Sequence, residues 1–359
     1  MDRIPSGKHP RVAILHEYGE DFRPHSSPFL RLIRPFSHPL VKAHIDAIFA
    51  RDYNNEPVDV VILDRLWRHD ISLPLVHELV NRIRLRGARI IYSLDDDYFD
   101  LPFNEISWPT REILPIVEFL LRQADAVLVT TPELQERFSK YNPNIHVLAN
   151  QLDERLLVFR HPVDAAPPIA DDRLVVGYMG TFTHDKDLKM VIPALKSIHQ
   201  RFPDRFELQL IGVVDKKETK EELQALPVRY VYPRPEEHEY PLFMLWFTGH
   251  VRWDIAISPL KNTAFNACKS DIKFLDYASI GAAGIFSQSP AYSSSIIHQQ
   301  TGWLVENTPS AWEQALETLL LNPAQRLTIA QNASDYLYKE RVLAQRANDW
   351  VEVIKSVCE

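Results

Sequence analysis

The 359-residue chain contains only two cysteines, Cys268 and Cys358, too few for a disulfide framework or a structural zinc site. No apolar run approaches the roughly 20 residues of a membrane span. The start, MDRIPSGKHPRVAILHEYGED, lacks the long apolar core and small-residue cleavage site of a signal peptide. These absences predict a cytoplasmic protein. Basic charge is scarce as well: 40 Lys and Arg stand against 48 Asp and Glu, a formal net charge of −8. That excludes nucleic acid as a general partner, because phosphate binding by counterion release needs a basic surface. One local exception is NRIRLRGAR, which clusters Arg82, Arg84, Arg86 and Arg89. It reads either as a patch for peripheral contact with an acidic membrane surface or as a helix C-terminus whose arginines complement the dipole, with Gly87 as cap.

What is present is strict alternation. RVAILH, VDVVILDR, ARIIYSLD, AVLVTT and IHVLAN read as strands separated by helical segments. Near-continuous apolar strands of this kind are buried on both faces, which predicts parallel pairing through crossover helices. HPVDAAPPIADD at 161–172 reads as a linker. The alternation then restarts with RLVVGYMG, FELQLIG, VRYVYP, WDIAISPL, AGIFS and GWLVE. The fold class expected is α/β: two Rossmann-like, doubly wound parallel-sheet domains, at 1–165 and 166–335, facing across a cleft. A C-terminal helix at 336–359, with Trp350, Val353 and Val357 as packing residues, is expected to cross back onto the first domain.

The stretch KSDIKFLDYASIGAAGIFS at 269–287 concentrates charge at a helix start. Ser270 reads as the N-cap, Lys269, Lys273, Asp276 and Ile280 recur at helical spacing, and Gly281 stops the helix. Two lysines beside unpaired N–H groups suit a diphosphate, and an aspartate about two turns on suits ribose hydroxyls. The alternative is a solvated face with an i,i+3 pair between Lys273 and Asp276. In the first half, IIYSLDDDYFDLP sets Asp95, Asp96 and Asp97 directly after a buried strand. Three readings stand open for them: contacts to sugar hydroxyls, a helix or turn cap, and a hard-cation site. Arg65 ends VVILDR and either reaches the same place or pairs with Asp64 or the triplet. His16 and His184 are lone histidines at loop starts.

On GYMGTFTHDKDL at 177–188, ISPLKNTAFNACKSDIKFLDYASIGAAGIFS at 257–287, TGWLVE at 301–306 and VLANQLDERLL at 147–157, the chain resembles glycosyltransferase family 4, as a divergent branch. The resemblance implies the two-Rossmann GT-B fold and transfer of a sugar from a nucleotide donor, a UDP- or GDP-sugar, to a hydroxyl acceptor such as a glycan or lipid-linked glycan. It implies retention of configuration, a place in polysaccharide biosynthesis, and no cofactor or metal. In that family a helix carries two glutamates separated by seven residues, the second binding ribose. Asp276 takes the second place and Cys268 the first, so half the pattern is missing. The family's lysine after the first strand of the second domain falls on Lys186, and its arginine on Thr181, so Lys269 and Lys273 are expected to supply the lost charge. Gly180, Thr181, His184, Lys186, Lys269, Ser270, Lys273 and Asp276 are thus the expected donor site. Asp95, Asp96 and Lys269 are the catalytic candidates, and Arg65 and Asp97 the acceptor side. Alternatives are a sugar-nucleotide epimerase, a phosphorylase, or a donor-binding subunit without turnover.

Overall fold

The computed structural model describes residues 9–104, 106, 109–158, 173–212, 214 and 216–359. It comprises two compact units: Met1–Asp153 with Ala267–Ser270 and Val342–Glu359, and Glu154–Asn266 with Asp271–Arg341. The linker expected at 161–172, and the boundary expected at 165, lie outside the described residues.

The first unit is built on six parallel strands, β1 (Arg11–Leu15), β2 (Asp46–Ala50), β3 (Val60–Asp64), β4 (Arg89–Leu94), β5 (Ala126–Val129) and β6 (Ile145–Val147), in the order β2-β1-β3-β4-β5-β6. Strand geometry sends alternate residues to opposite faces. Ala13, Leu15, Val61, Leu63, Ile90 and Tyr92 pack with the helices Leu73–Leu85 and Leu114–Gln123. Val12, Ile14, Val60, Ile62 and Ile91 pack instead with Leu32, Phe36, Trp350, Val351 and Ile354. Burial on both sides is why these strands read as unbroken apolar runs. Strand β2 escapes the sequence reading because it is an edge: Asp46 is exposed and Phe49 is 37% exposed.

The last helix runs Leu343–Cys358 rather than from 336. The helix before it, Pro323–Glu340, stops at Arg341. The buried Arg341 guanidinium meets both oxygens of Asp271, at 2.7 and 2.8 Å. Trp350 anchors the last helix through its indole N–H to Gln151 Oε1 at 3.1 Å and an edge-on contact with Phe36 at 5.6 Å.

The second unit carries β7 (Leu174–Gly180), β8 (Phe206–Gly212), β9 (Val228–Tyr230), β10 (Ile255–Ser258), β11 (Ala283–Ser287) and β12 (Trp303–Val305), all parallel, in the order β12-β11-β10-β7-β8-β9. Helices Asp185–Arg201 and Pro309–Leu321 cover one face through Leu188, Val191, Leu195, Trp312 and Leu316. In each sheet the chain reverses its direction of growth beside the first strand, between β1 and β3 and between β7 and β10. Open α/β sheets bind ligands outside the carboxyl ends of the strands at such points.

Gly212 ends β8 with φ +69, and a Cβ there would sit 2.2 Å from the Gly180 carbonyl oxygen at the end of β7. Gly212→Ala is expected to cost roughly 2–4 kcal/mol, left-handed strain plus overpacking. Urea unfolding measures it, and a loss below about 1 kcal/mol would contradict this close approach.

Candidate functional site

In the first unit the carboxyl ends of β1, β3 and β4 deliver Glu17, Arg65 and Asp95–Asp97 to one place. Arg65 takes a left-handed backbone, φ 49, and its N–H bonds the Ser93 carbonyl at 3.0 Å. Its guanidinium meets Glu17 Oε2 at 3.1 Å, Asp95 Oδ1 at 3.2 Å and Asp96 Oδ2 at 3.8 Å, and its Nε–H donates to the Tyr98 hydroxyl at 2.9 Å. Lys269 Nζ lies 3.1 Å from Asp96 Oδ1. The Ser27 hydroxyl donates to Asp95 Oδ2. Below them, the buried Arg31 donates to Ser93 Oγ at 3.3 Å, and the buried Asp64 accepts the Glu17 N–H at 3.1 Å. Arg31 stands on a widened turn, where the Arg34 N–H reaches back to the Phe29 carbonyl. Pro35, one helical turn on, has no N–H to give the Arg31 carbonyl.

Burial raises the carboxyls of Glu17 and Asp64, the latter to about 7. Burial also pushes Asp95 up, but Arg65, Arg31, Ser27 and Lys269 together hold it below its ordinary value. Aspartates side by side are therefore tolerated because the protein supplies its own cations.

Not every expected residue belongs to this surface. Asp97 is 1% exposed, caps the turn Tyr98–Asp100 by accepting the Phe99 N–H at 3.0 Å, and pairs with Arg137 Nε at 2.8 Å. It is a structural cap and not an acceptor contact. Lys269 does not share a helical face with Lys273, because the helix is Ile272–Ser279 and Lys269 precedes it, grouped with the first unit. Ser270 is not the N-cap either; Asp271 stands there, and Ser270 Oγ accepts from Asn150 Nδ2 at 2.9 Å. Cys268 is buried in the first unit's core, its carbonyl accepts from Thr131 Oγ1 at 3.1 Å, and burial pushes its thiol up to about 11. Among the described residues no group of three or more His, Cys, Asp or Glu side chains is placed to hold a metal ion.

In the second unit the reversal point is tied by Tyr277. Its hydroxyl accepts the Met179 N–H of β7 at 3.4 Å and donates to the Ile257 carbonyl of β10 at 3.0 Å. One turn earlier on the same helix, Lys273 Nζ lies 4.9 Å from the Tyr178 ring centroid. Beside Tyr277, Asp276 is 7% exposed and accepts no side-chain hydrogen bond among the described residues; burial raises it to about 7, with Lys273 drawing it back. After Gly180, the Thr181 and Thr183 hydroxyls bond each other at 2.7 Å, and His184 Nδ1 lies 2.9 Å from Asp187 Oδ2. Asp187 Oδ1 accepts the Lys261 N–H at 2.9 Å, and Asp185 accepts from Thr219 Oγ1 at 2.8 Å. Two buried aspartates thus occupy the first turn of Asp185–Arg201, and the dipole's positive end is already met. Lys186 is half-buried between them.

No protein-family model matches the chain, and no curated protein does. Solved structures do match. The chain is similar to Anabaena HepE in complex with UDP and glucose, with 14% identity over 97% of this chain and 100% of that one and a TM-score of 0.68. It is similar to a glycosyltransferase from Rickettsia africae ESF-5, with 12% identity, 98% and 99% coverage and a TM-score of 0.67. A third likeness is to sucrose-phosphate synthase from Thermosynechococcus elongatus, with 13% identity, 98% and 99% coverage and a TM-score of 0.63. The fold is GT-B.

Within this GT-B chain the sequence reading missed Glu17, Ser27, Arg31 and Tyr277, and it named Asp64 only as a partner for Arg65, where the structure has Asp64 accept the Glu17 N–H instead. Glu17 follows a buried strand as Asp95 does, and Arg31 is the one charge inside FLRLI; both were visible signals. Tyr277 was hidden among core positions. The arginines of NRIRLRGAR turn largely to the protein's own acids, Arg84 and Arg89 to Asp125 and Arg82 to Asp52, with Gly87 left-handed at φ 76 after the helix. No helix among the described residues is long and apolar enough to cross a membrane.

Arg65→Met strands Glu17, Asp95 and Asp96 without their shared cation and is expected to cost about 3–5 kcal/mol at pH 7. Without the cation the folded-state carboxyls rise above their unfolded values. An acid raised in this way stabilises the fold below its unfolded pKa, and that contribution is lost as pH rises through the folded value. The deficit against wild type should therefore shrink as pH falls from 7 toward 4; a deficit independent of pH would refute the charge account.

Proposed function

We propose that the protein is a glycosyltransferase that moves a sugar from a UDP- or GDP-sugar to a hydroxyl acceptor. The observation that carries this reading is Asp276: a buried carboxylate with no side-chain hydrogen-bond donor among the described residues, on the helix that ties the reversal point of the second sheet, beside Lys273. A vicinal diol supplies two donors to such a group, and ribose is the diol that UDP- and GDP-sugars carry. Lys273 and Lys186 neutralise the diphosphate, a task Lys269 does not share while it holds Asp96. The acceptor oxygen bonds to the anomeric carbon, the carbon–oxygen bond to the diphosphate breaks with its electron pair leaving on phosphate, and the acceptor proton passes to that departing oxygen. Retention of configuration and a role in building a polysaccharide or lipid-linked glycan are part of the reading and rest on the motif resemblance. The reaction needs no metal in this reading, since lysines meet the leaving group and Arg65 meets the first unit's aspartates. Incubation with UDP- and GDP-sugars and an acceptor series, with the product's anomeric configuration read by NMR, tests it. An epimerised donor without transfer, or binding without turnover, would favour the alternatives.

Asp276→Asn is expected to weaken nucleotide binding about tenfold, ~1.4 kcal/mol, for lost charge-assisted hydrogen bonds. Ribose donors favour the ionised carboxyl. Below about 7 Asp276 is protonated and must release its proton on binding, so wild-type affinity should rise with pH to about that value and then level off. Calorimetry of both proteins separates this from titration of the phosphate itself; identical pH profiles would remove Asp276 from the ribose site.

A further inference from the structure

The loop after β1 contains a feature that neither the charge cluster nor the core requires. Phe22 is 57% exposed and adopts φ 61, a left-handed backbone that glycine and asparagine take freely and a bulky residue does not. The turn is closed by Gly19 N–H to Arg23 C=O at 2.8 Å and Phe22 N–H to Gly19 C=O at 2.9 Å. Arg51, just past β2, donates to the Phe22 carbonyl at 3.0 Å, and its guanidinium lies 4.8 Å from the Phe22 ring centroid and 5.4 Å from that of Tyr18. The Tyr18 and Phe22 rings stack at 5.8 Å, and the edge of His69 steadies Tyr18 from another side. The ring is therefore fixed from behind while more than half its surface faces water. Strained backbone of this kind collects where ligands are held.

Both ends of the loop run into the cluster around Arg65: Glu17 on the guanidinium, and Ser27 on Asp95. The cations there are engaged by the protein's own carboxylates, which leaves a surface suited to hydroxyl groups and not to phosphate. A flat aromatic face on a loop whose two ends, Glu17 and Ser27, enter a carboxylate cluster matches one chemistry, a pyranose ring with an apolar C–H face and a hydroxyl rim. We propose that Phe22, backed by Tyr18 and Arg51, is the platform on which a pyranose of a saccharide acceptor stacks. This deepens the transferase reading and rests on it, since it makes the acceptor a saccharide.

The test uses Phe22→Gly and Phe22→Trp in the full chain, with saturation-transfer NMR of the methyl glycosides of glucose, galactose, mannose and N-acetylglucosamine at millimolar concentration, with UDP or GDP present. Wild type and Phe22→Trp should saturate the ring protons of at least one glycoside. Phe22→Gly should lose at least fivefold of that signal while its melting temperature is equal to or above wild type, because glycine relieves the left-handed strain. Undiminished signal in Phe22→Gly overturns the platform, and so does the absence of any saturated glycoside in wild type. Thermal shift with UDP and GDP is read separately on the same samples: a nucleotide shift without any glycoside signal overturns the saccharide platform alone, whereas no shift with either nucleotide counts against the transferase reading itself.

Discussion

The first unit depends on one positive charge, that of Arg65. Three neighbouring strands end in acids because that is where a parallel sheet offers loops to a ligand, and those loops would repel one another if left alone. From its left-handed position after β3, Arg65 reaches Glu17 after β1 and both Asp95 and Asp96 after β4. Its planar guanidinium has donors for several carboxylates at once, which a lysine does not have. Arg31 and Lys269 share the remaining load from below and from the side.

The second unit solves the opposite problem. Where β7 and β10 part company, their backbones have N–H and C=O groups with no strand between them, and the Tyr277 hydroxyl answers one of each. Next to Tyr277 on the same helix, the Asp276 carboxyl is buried and accepts no side-chain hydrogen bond among the described residues. The first unit thus meets its acids with its own cations, while Asp276 in the second is met by no side-chain donor among the described residues. Structures from Anabaena and Thermosynechococcus elongatus, at 14% and 13% identity, share the frame that sets up both.

The frame was legible because burial on both faces writes itself into sequence as unbroken apolar strands, as in β1, β3, β5, β10 and β11, whereas β2 does not stand out because water reaches its edge. Asp276, Arg65 and the aspartate triplet were legible as charges at element ends. What failed was assigning charges to helical faces from spacing alone. Lys269 and Lys273 differ by four, yet the helix starts only at Ile272, since Asp271 is drawn into a bidentate pair with Arg341 seventy residues away. Asp97 was misplaced for a similar reason: its partner, Arg137, lies on a helix far along the chain. Long-range ion pairs carry no local periodicity, so no window of sequence contains them.

The first unit is not a continuous piece of chain. One face of its sheet, with Val12, Ile14, Val60 and Ile62, is covered by Trp350, Val351 and Ile354 of the helix Leu343–Cys358. During translation this face is synthesised early and its cover late, with nearly two hundred residues between Asp153 and Val342 made in the interval. Leu32 and Phe36 cover part of that face early, and the packing of the rest must wait for residues synthesised much later.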